Sequence, residues 1–220
     1  MTTSWINVFS MLYYWSSEIM KTIETLKSIL ENSSNIINLP DGISYIKYPI
    51  SDGVMFPKLY NAIVDLISDM IKPALTSNTL LIGEEDLWWH LIPLIAYKLQ
   101  LPYALMRWAT HWLKGDINIP FKNLYTEWVL NINELKLWDK VIIIEDIIDT
   151  GGTMSAMINV LKTHGIVIQD VIAVCDRPEK KWREKIYKDT GIMPKVLVSF
   201  ITEWNILKCM VSKKPTITAG

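Results

Sequence analysis

Residues 140–154, Lys-Val-Ile-Ile-Ile-Glu-Asp-Ile-Ile-Asp-Thr-Gly-Gly-Thr-Met, constrain the fold more than any other stretch of this chain. Val141, Ile142, Ile143 and Ile144 are β-branched residues in an unbroken row, the pattern of a strand buried on both faces of a parallel sheet. Glu145 and Asp146 stand where that strand is expected to end. After a short turn come Thr150, Gly151, Gly152 and Thr153, and then a helical run from Met154 to Lys162. Glycines let a backbone approach an anion closely, a helix N-terminus aims N–H groups at it, and threonine hydroxyls add donors. Strand, acid pair, glycine turn and helix start therefore read as a phosphate cradle, with the acids placed to hold the two hydroxyls of a ribose. No Gly-Lys-Ser/Thr follows, so this is not a Walker loop, and it is not Gly-x-Gly-x-x-Gly.

With those parts in that order, the stretch resembles the phosphoribosyl pyrophosphate (PRPP) motif of the type I phosphoribosyltransferases: a hydrophobic strand, two acids, two apolar residues and a Thr-Gly-Gly-Thr-like loop. The resemblance implies that Glu145, Asp146, Asp149, Thr150, Gly151, Gly152 and Thr153 bind PRPP or the nucleotide.

The bulk numbers fit that reading. A chain of 220 residues suits one α/β domain with additions, and 50% hydrophobic with 20% charged residues is globular. The formal charge of -1 supplies no basic excess for nucleic acid. Cys175 and Cys209 make no metal-ligand spacing and point to a reducing cytoplasm, and no apolar span has membrane length.

Along the chain, Ile19, Ile23, Leu26, Ile29 and Leu30 recur at helical spacing, so residues 1–35 are expected to form an N-terminal helical extension before a core at 36–220. Residues 36–57 hold short extended pieces, punctuated by Pro40, Gly42, Pro49 and Gly53. Leu59, Ile63, Leu66, Ile67 and Met70 form the stripe of a helix that Pro73 stops, and residues 79–82 read as a strand leading to Gly83. Residues 102–106 predict the next strand, with Arg107 at its end. Residues 108–124 show no sustained period and read as a loop, in which Lys114 is the first candidate cation and His111 the second. Beyond the central motif, residues 168–175 read as a strand, 179–188 as a charged helix and 196–200 as the last strand, followed by a tail.

Several of these segments extend the resemblance. Residues 52–56 are similar to the hood segment of adenine phosphoribosyltransferases and put Phe56 against the base. Residues 124–128 resemble the segment in which those enzymes carry an acid/base glutamate, which would be Glu127. Gly83 and Glu84 fall in the pyrophosphate loop, with Arg107 and Lys114 as its cations. Glu84, Glu85 and Asp86 replace the basic or small residues common there, so magnesium is expected between the acids and the polyanion, carried by PRPP and held by Glu84, Glu145 or Asp146. Asp176 and Arg177 resemble the Asp-Arg pair of orotate enzymes and make Asp176 a base contact. The wording of residues 144–151 is that of hypoxanthine-guanine enzymes, where the acid at the place of Asp149 sits by N7.

The family resemblance implies a parallel-sheet α/β core with helices on both faces and a small hood, a cytoplasmic homodimer, and transfer from PRPP to a purine, with Glu127 and Asp149 as the candidate proton acceptors. Adenine is ranked first, 6-oxopurines second and orotate third. A catalytically silent PRPP-sensing regulator is the reading from another class.

Overall fold

The computed structural model describes residues 17–38, 44–47, 49–50, 56–85, 90–108, 114–122, 127–203 and 206–211. Six strands form the central sheet: β3 (Thr79–Glu84), β4 (Tyr103–Met106), β7 (Lys140–Ile148), β8 (Val167–Asp176), β9 (Lys195–Glu203) and β10 (Ile206–Val211). Their order is β10-β9-β8-β7-β3-β4, parallel throughout except for antiparallel β10 on one edge. The β-branched run lies in β7, with β3 on one side and β8 on the other.

Alternation along β7 divides the core. Ile142 and Ile144 face α1 (Ser17–Ser33), α2 (Pro57–Ile71) and α3 (Leu91–Leu99), while Val141 and Ile143 face α4 (Gly152–Thr163) and α5 (Trp182–Thr190). All four are buried, and burying each side chain stabilises the fold by about 1.5–3 kcal/mol. The expected α2 stripe is inward, with Leu59, Ile63, Leu66 and Ile67 buried, and a short 3-10 turn over Lys72–Ala74 carries Pro73. The N-terminal helix belongs to the same core: Ile23, Leu26 and Leu30 are buried in it, and Glu31 accepts a hydrogen bond from the Cys209 N–H of β10 at 2.8 Å. The short extended pieces pair as the antiparallel hairpin β1 (Asn35–Asn38) and β2 (Ser44–Lys47).

Four expectations are corrected. β7 does not end at the acids, because its pairing with β8 continues from Glu145↔Ala173 to Ile148↔Asp176. The span read as a loop contains β5 (Ile117–Lys122), paired antiparallel with β6 (Glu127–Ile132); buried Ile117, Ile119, Leu130 and Ile132 hold that hairpin against the α4 side of the sheet. The charged helix breaks at Lys181, whose φ of 54° separates a 3-10 turn at Pro178–Lys180 from α5. Part of the expected tail is β10, which covers the edge of β9.

Candidate active site

The site lies at the carboxyl ends of β3, β7 and β8, where an open α/β sheet accepts ligands. β7 delivers Glu145 and Asp146 as buried side chains, 8% and 7% exposed. A carboxylate pair within a strand is expensive to keep charged without a partner. Burial pushes the Glu145 pKa well above the ordinary carboxylate range, and the neighbouring Asp146 and Glu84 push it further in the same direction. Glu84 reaches this pair through pairing: β3 lies beside β7, and its end is extended by β4 through Glu84↔Met106 and a 2.7 Å bond from the Glu85 N–H to the Met106 carbonyl. Gly83 packs so tightly that an added Cβ would stand 2.5 Å from the Ile144 carbonyl oxygen. That contact ties the expected pyrophosphate loop to the strand carrying the acids.

Beyond Ile148 the chain turns into the glycine loop. Gly151 has φ +75° and ψ 3°, the left-handed conformation that favours glycine, and it caps α4, which begins at Gly152. The first helical bond closes from the Ser155 N–H to the Gly151 carbonyl at 2.9 Å. The leading N–H groups of such a helix point out of its end and suit a phosphate, and the macrodipole favours the negative charge. Thr150, Gly152 and Thr153 are half-buried around this turn.

Asp149 opens the loop. Its Oδ1 is 3.6 Å from Nη1 of Arg177, a buried arginine whose Nε donates to Glu179 at 2.9 Å. Burial raises the Asp149 pKa, and the charges of Arg177 and Lys180 pull it partly back.

The structure gives the other expected residues different situations. Asp176, the expected base contact, is buried at the end of β8. Its side chain is sealed at 0% exposure and accepts from the indole N–H of Trp182 at 3.0 Å and from Arg183 Nη2 at 3.2 Å. Through Oδ2 it fastens α5 to the sheet. Arg107 stands at the end of β4 with its backbone N–H and C=O both paired to Asn131 at 2.8 Å, and its side chain is exposed. Lys114 is exposed in the turn before β5. Phe56 is 53% exposed just ahead of α2. Glu127 begins β6 opposite Lys122, while its side chain, residues 51–55 and 124–126, Asp86, Trp88, Trp89 and His111 lie outside the described residues. Sequence reasoning missed Trp182 and the Arg177–Asp149 pair. Trp182 carries no local signal, whereas Arg177 was visible in the Asp-Arg pair.

Among the described residues no group of three or more acids, histidines or cysteines makes a metal cage. The donor set suits magnesium of another kind. That ion keeps waters and substrate phosphates around it and takes one or two carboxylates, and beside the crowded acids Glu84, Glu145 and Asp146 it would favour the carboxylate charge that burial and mutual repulsion oppose. Among the described residues no helix is long and apolar enough to cross a membrane.

Comparison with known proteins agrees with this geometry. The model of the phosphoribosyl transferase domain matches residues 93–203. The chain is 32% identical over 157 residues to a hypoxanthine/guanine phosphoribosyltransferase of Methanosarcina mazei, covering 71% of this chain and 80% of that protein. It is 33% identical over 179 residues to the enzyme of the same name from Methanosarcina barkeri, covering 80% and 90%. Among solved structures, adenine phosphoribosyl transferase from Trypanosoma brucei, in complex with AMP, pyrophosphate and ribose-5-phosphate, superposes with a TM-score of 0.67 at 20% identity, covering 81% of this chain and 78% of that one. The adenine enzyme of Thermoanaerobacter pseudethanolicus gives 0.65 at 18% identity, covering 81% and 99%. The acid pair on β7, the glycine loop that opens α4, the mostly parallel sheet and these similarities together make the chain a member of the phosphoribosyltransferase family, enzymes of the glycosyltransferase type.

Proposed function

We propose that this enzyme transfers the phosphoribosyl group of PRPP to a 6-oxopurine, hypoxanthine or guanine, releasing pyrophosphate and a nucleoside 5′-monophosphate. The observation that carries the choice of base is the one-third identity with hypoxanthine/guanine enzymes over four-fifths of the chain. The Asp149 position supports it, an acid rigidly placed at the mouth of the phosphate loop. Solved adenine enzymes at or below about a fifth identity speak to the fold alone. Adenine, ranked first from the segments around Phe56 and Glu127, becomes the second reading. It keeps the support of the Gly-Gly-Thr-Met wording at 151–154.

In this reading the 5′-phosphate sits on the N–H groups at the start of α4, which anchors the ribose in line with the incoming base. Glu145 and Asp146 accept hydrogen bonds from the ribose hydroxyls, so their charge lies close to the ring carbon that turns cationic as the anomeric bond breaks. Glu84, Glu145 and Asp146 would hold magnesium carried by PRPP, which would offset charge growing on the pyrophosphate. Arg107, exposed at the end of β4, and Lys114, exposed before β5, are the cations for that leaving group. As the purine forms its bond to ribose through N9, the proton on N7 passes to the Asp149 carboxylate. The enzyme works as a homodimer in the cytosol, for which exposed Leu94, Tyr97 and Tyr103 near the β4 edge of the sheet offer an apolar surface.

A panel of hypoxanthine, guanine and adenine with PRPP and magnesium, read as pyrophosphate release, tests this directly. Hypoxanthine or guanine should turn over fastest, and Asp149→Asn should cut that turnover by about 10²–10⁴. Adenine as the preferred base, with the loss falling on Glu127→Gln instead, would reverse the assignment.

A further inference from the structure

We propose that Arg177, tethered by Glu179, is the positioning residue of Asp149, holding that carboxylate by charge at a distance while leaving it able to accept the proton of the base. The inference rests on the reading of Asp149 given above.

Strand register creates the arrangement. Ile148 pairs with Asp176, so the chain leaves β7 as Asp149 beside the point where it leaves β8 as Arg177. A 3.1 Å bond from the Arg177 N–H to the Ile148 carbonyl fixes the backbone between them. The guanidinium is then shared. Its Nε donates to Glu179 Oε1 at 2.9 Å, whereas its Nη1 stops 3.6 Å from Asp149 Oδ1, within ion-pair range and too long for a hydrogen bond. Asp149 Oδ1 is buried and accepts no hydrogen bond among the described residues. An arginine free to close would grip a carboxylate with two parallel bonds, and Glu179 occupies one edge of that fork.

The distance matters for chemistry. A tight bidentate pair would make Asp149 a poor base, while burial with no cation near would leave it protonated. The charged groups acting on Asp149 are Arg177 and Lys180, which favour the carboxylate, and Glu179, which opposes it. From α5, Arg183 is directed to Asp176 instead, and the loop at 150–153 brings no charge of its own.

The test is the acid limb of kcat/KM against pH, with hypoxanthine as variable substrate and saturating PRPP, for wild type, Arg177→Met, Arg177→Lys and Glu179→Gln. Removing the cation should move the limb to higher pH by about one unit or more, lysine should largely restore it, and Glu179→Gln should move it to lower pH. A merely structural arginine predicts no such opposite displacements. Carbon NMR of the Asp149 carboxyl should titrate in the same two directions without any turnover. Limbs that stay put, or both move the same way, overturn the proposal. If Arg177→Met fails to fold, judged by thermal melting, Glu179→Gln on the exposed side of the pair decides alone: a limb unmoved or raised overturns it. Asp149→Asn separates the two ideas. Turnover retained within tenfold refutes the Asp149 reading and this inference with it. A large loss there, with unmoved limbs elsewhere, refutes the inference alone.

Discussion

The indole N–H of Trp182 donates to Asp176 Oδ2 at 3.0 Å, joining the first turn of α5 to the end of β8 with both side chains fully buried. Arg183 shares that oxygen at 3.2 Å, and its guanidinium carbon stands 4.5 Å from the centre of the Trp182 ring. The consequence is felt one layer away, because the Trp182 and Ile186 side chains lie against Gly151 in the glycine loop. α5 is therefore the floor on which the cradle rests.

Trp182→Phe keeps most of the apolar volume and deletes the donor, leaving buried Asp176 one partner short. The expected loss is about 1–3 kcal/mol of stability, the cost of a buried polar group left short of a partner. Urea denaturation measures it, and nucleotide affinity should fall along with it as the floor loosens.

Gly151→Ala faces two costs. A Cβ there would meet Ile186 Cγ1 at 2.9 Å, and φ +75° is a conformation L residues rarely adopt. The strain is about 1 kcal/mol and the overpacking adds about 1–3 kcal/mol. A lowered Tm together with weakened PRPP binding is expected; an unchanged Tm would show that the loop yields freely.

Gly83→Ala would press a methyl group onto the Ile144 carbonyl oxygen at 2.5 Å and onto the Ile92 side chain. Ile92 can rotate away, but a carbonyl held in the central strand cannot. The β3 end must then move, and with it Glu84. Destabilisation of about 1–3 kcal/mol is expected, with KM for PRPP rising more than KM for the base.

Glu145→Gln should stabilise the protein at neutral pH. Burial raises the folded-state pKa of Glu145 well above the ordinary glutamate value, so the folded state binds more protons than the unfolded one above that ordinary value. Stability therefore falls as pH rises through the window between the two values, and the wild type carries the penalty at neutral pH. Thermal melts across pH 4 to 8 should show the variant gaining on the wild type as pH rises, with the two converging in acid. The same variant should lose activity if, as proposed, this carboxylate holds the ribose.

The central motif was legible because its causes are local. Four β-branched residues favour a strand, Gly151 permits a left-handed turn, and α4 starts at the next residue; each follows from sterics within a few positions of the chain. The stripe of α2 was legible for a similar reason, since its period reports the face it buries. The wider site was decided by tertiary structure. Glu84 is brought to Glu145 and Asp146 because β3 pairs with β7, some sixty positions along the chain. Asp176 receives Trp182 and Arg183 as partners from α5, which nothing in its own segment announces. β5 lay hidden in an aperiodic stretch and formed by pairing with β6, and β10 became a strand by covering β9. Local sterics choose the conformation of a segment, but the contacts that tune a carboxylate or close a sheet edge are made between segments, and burial across the whole chain selects them.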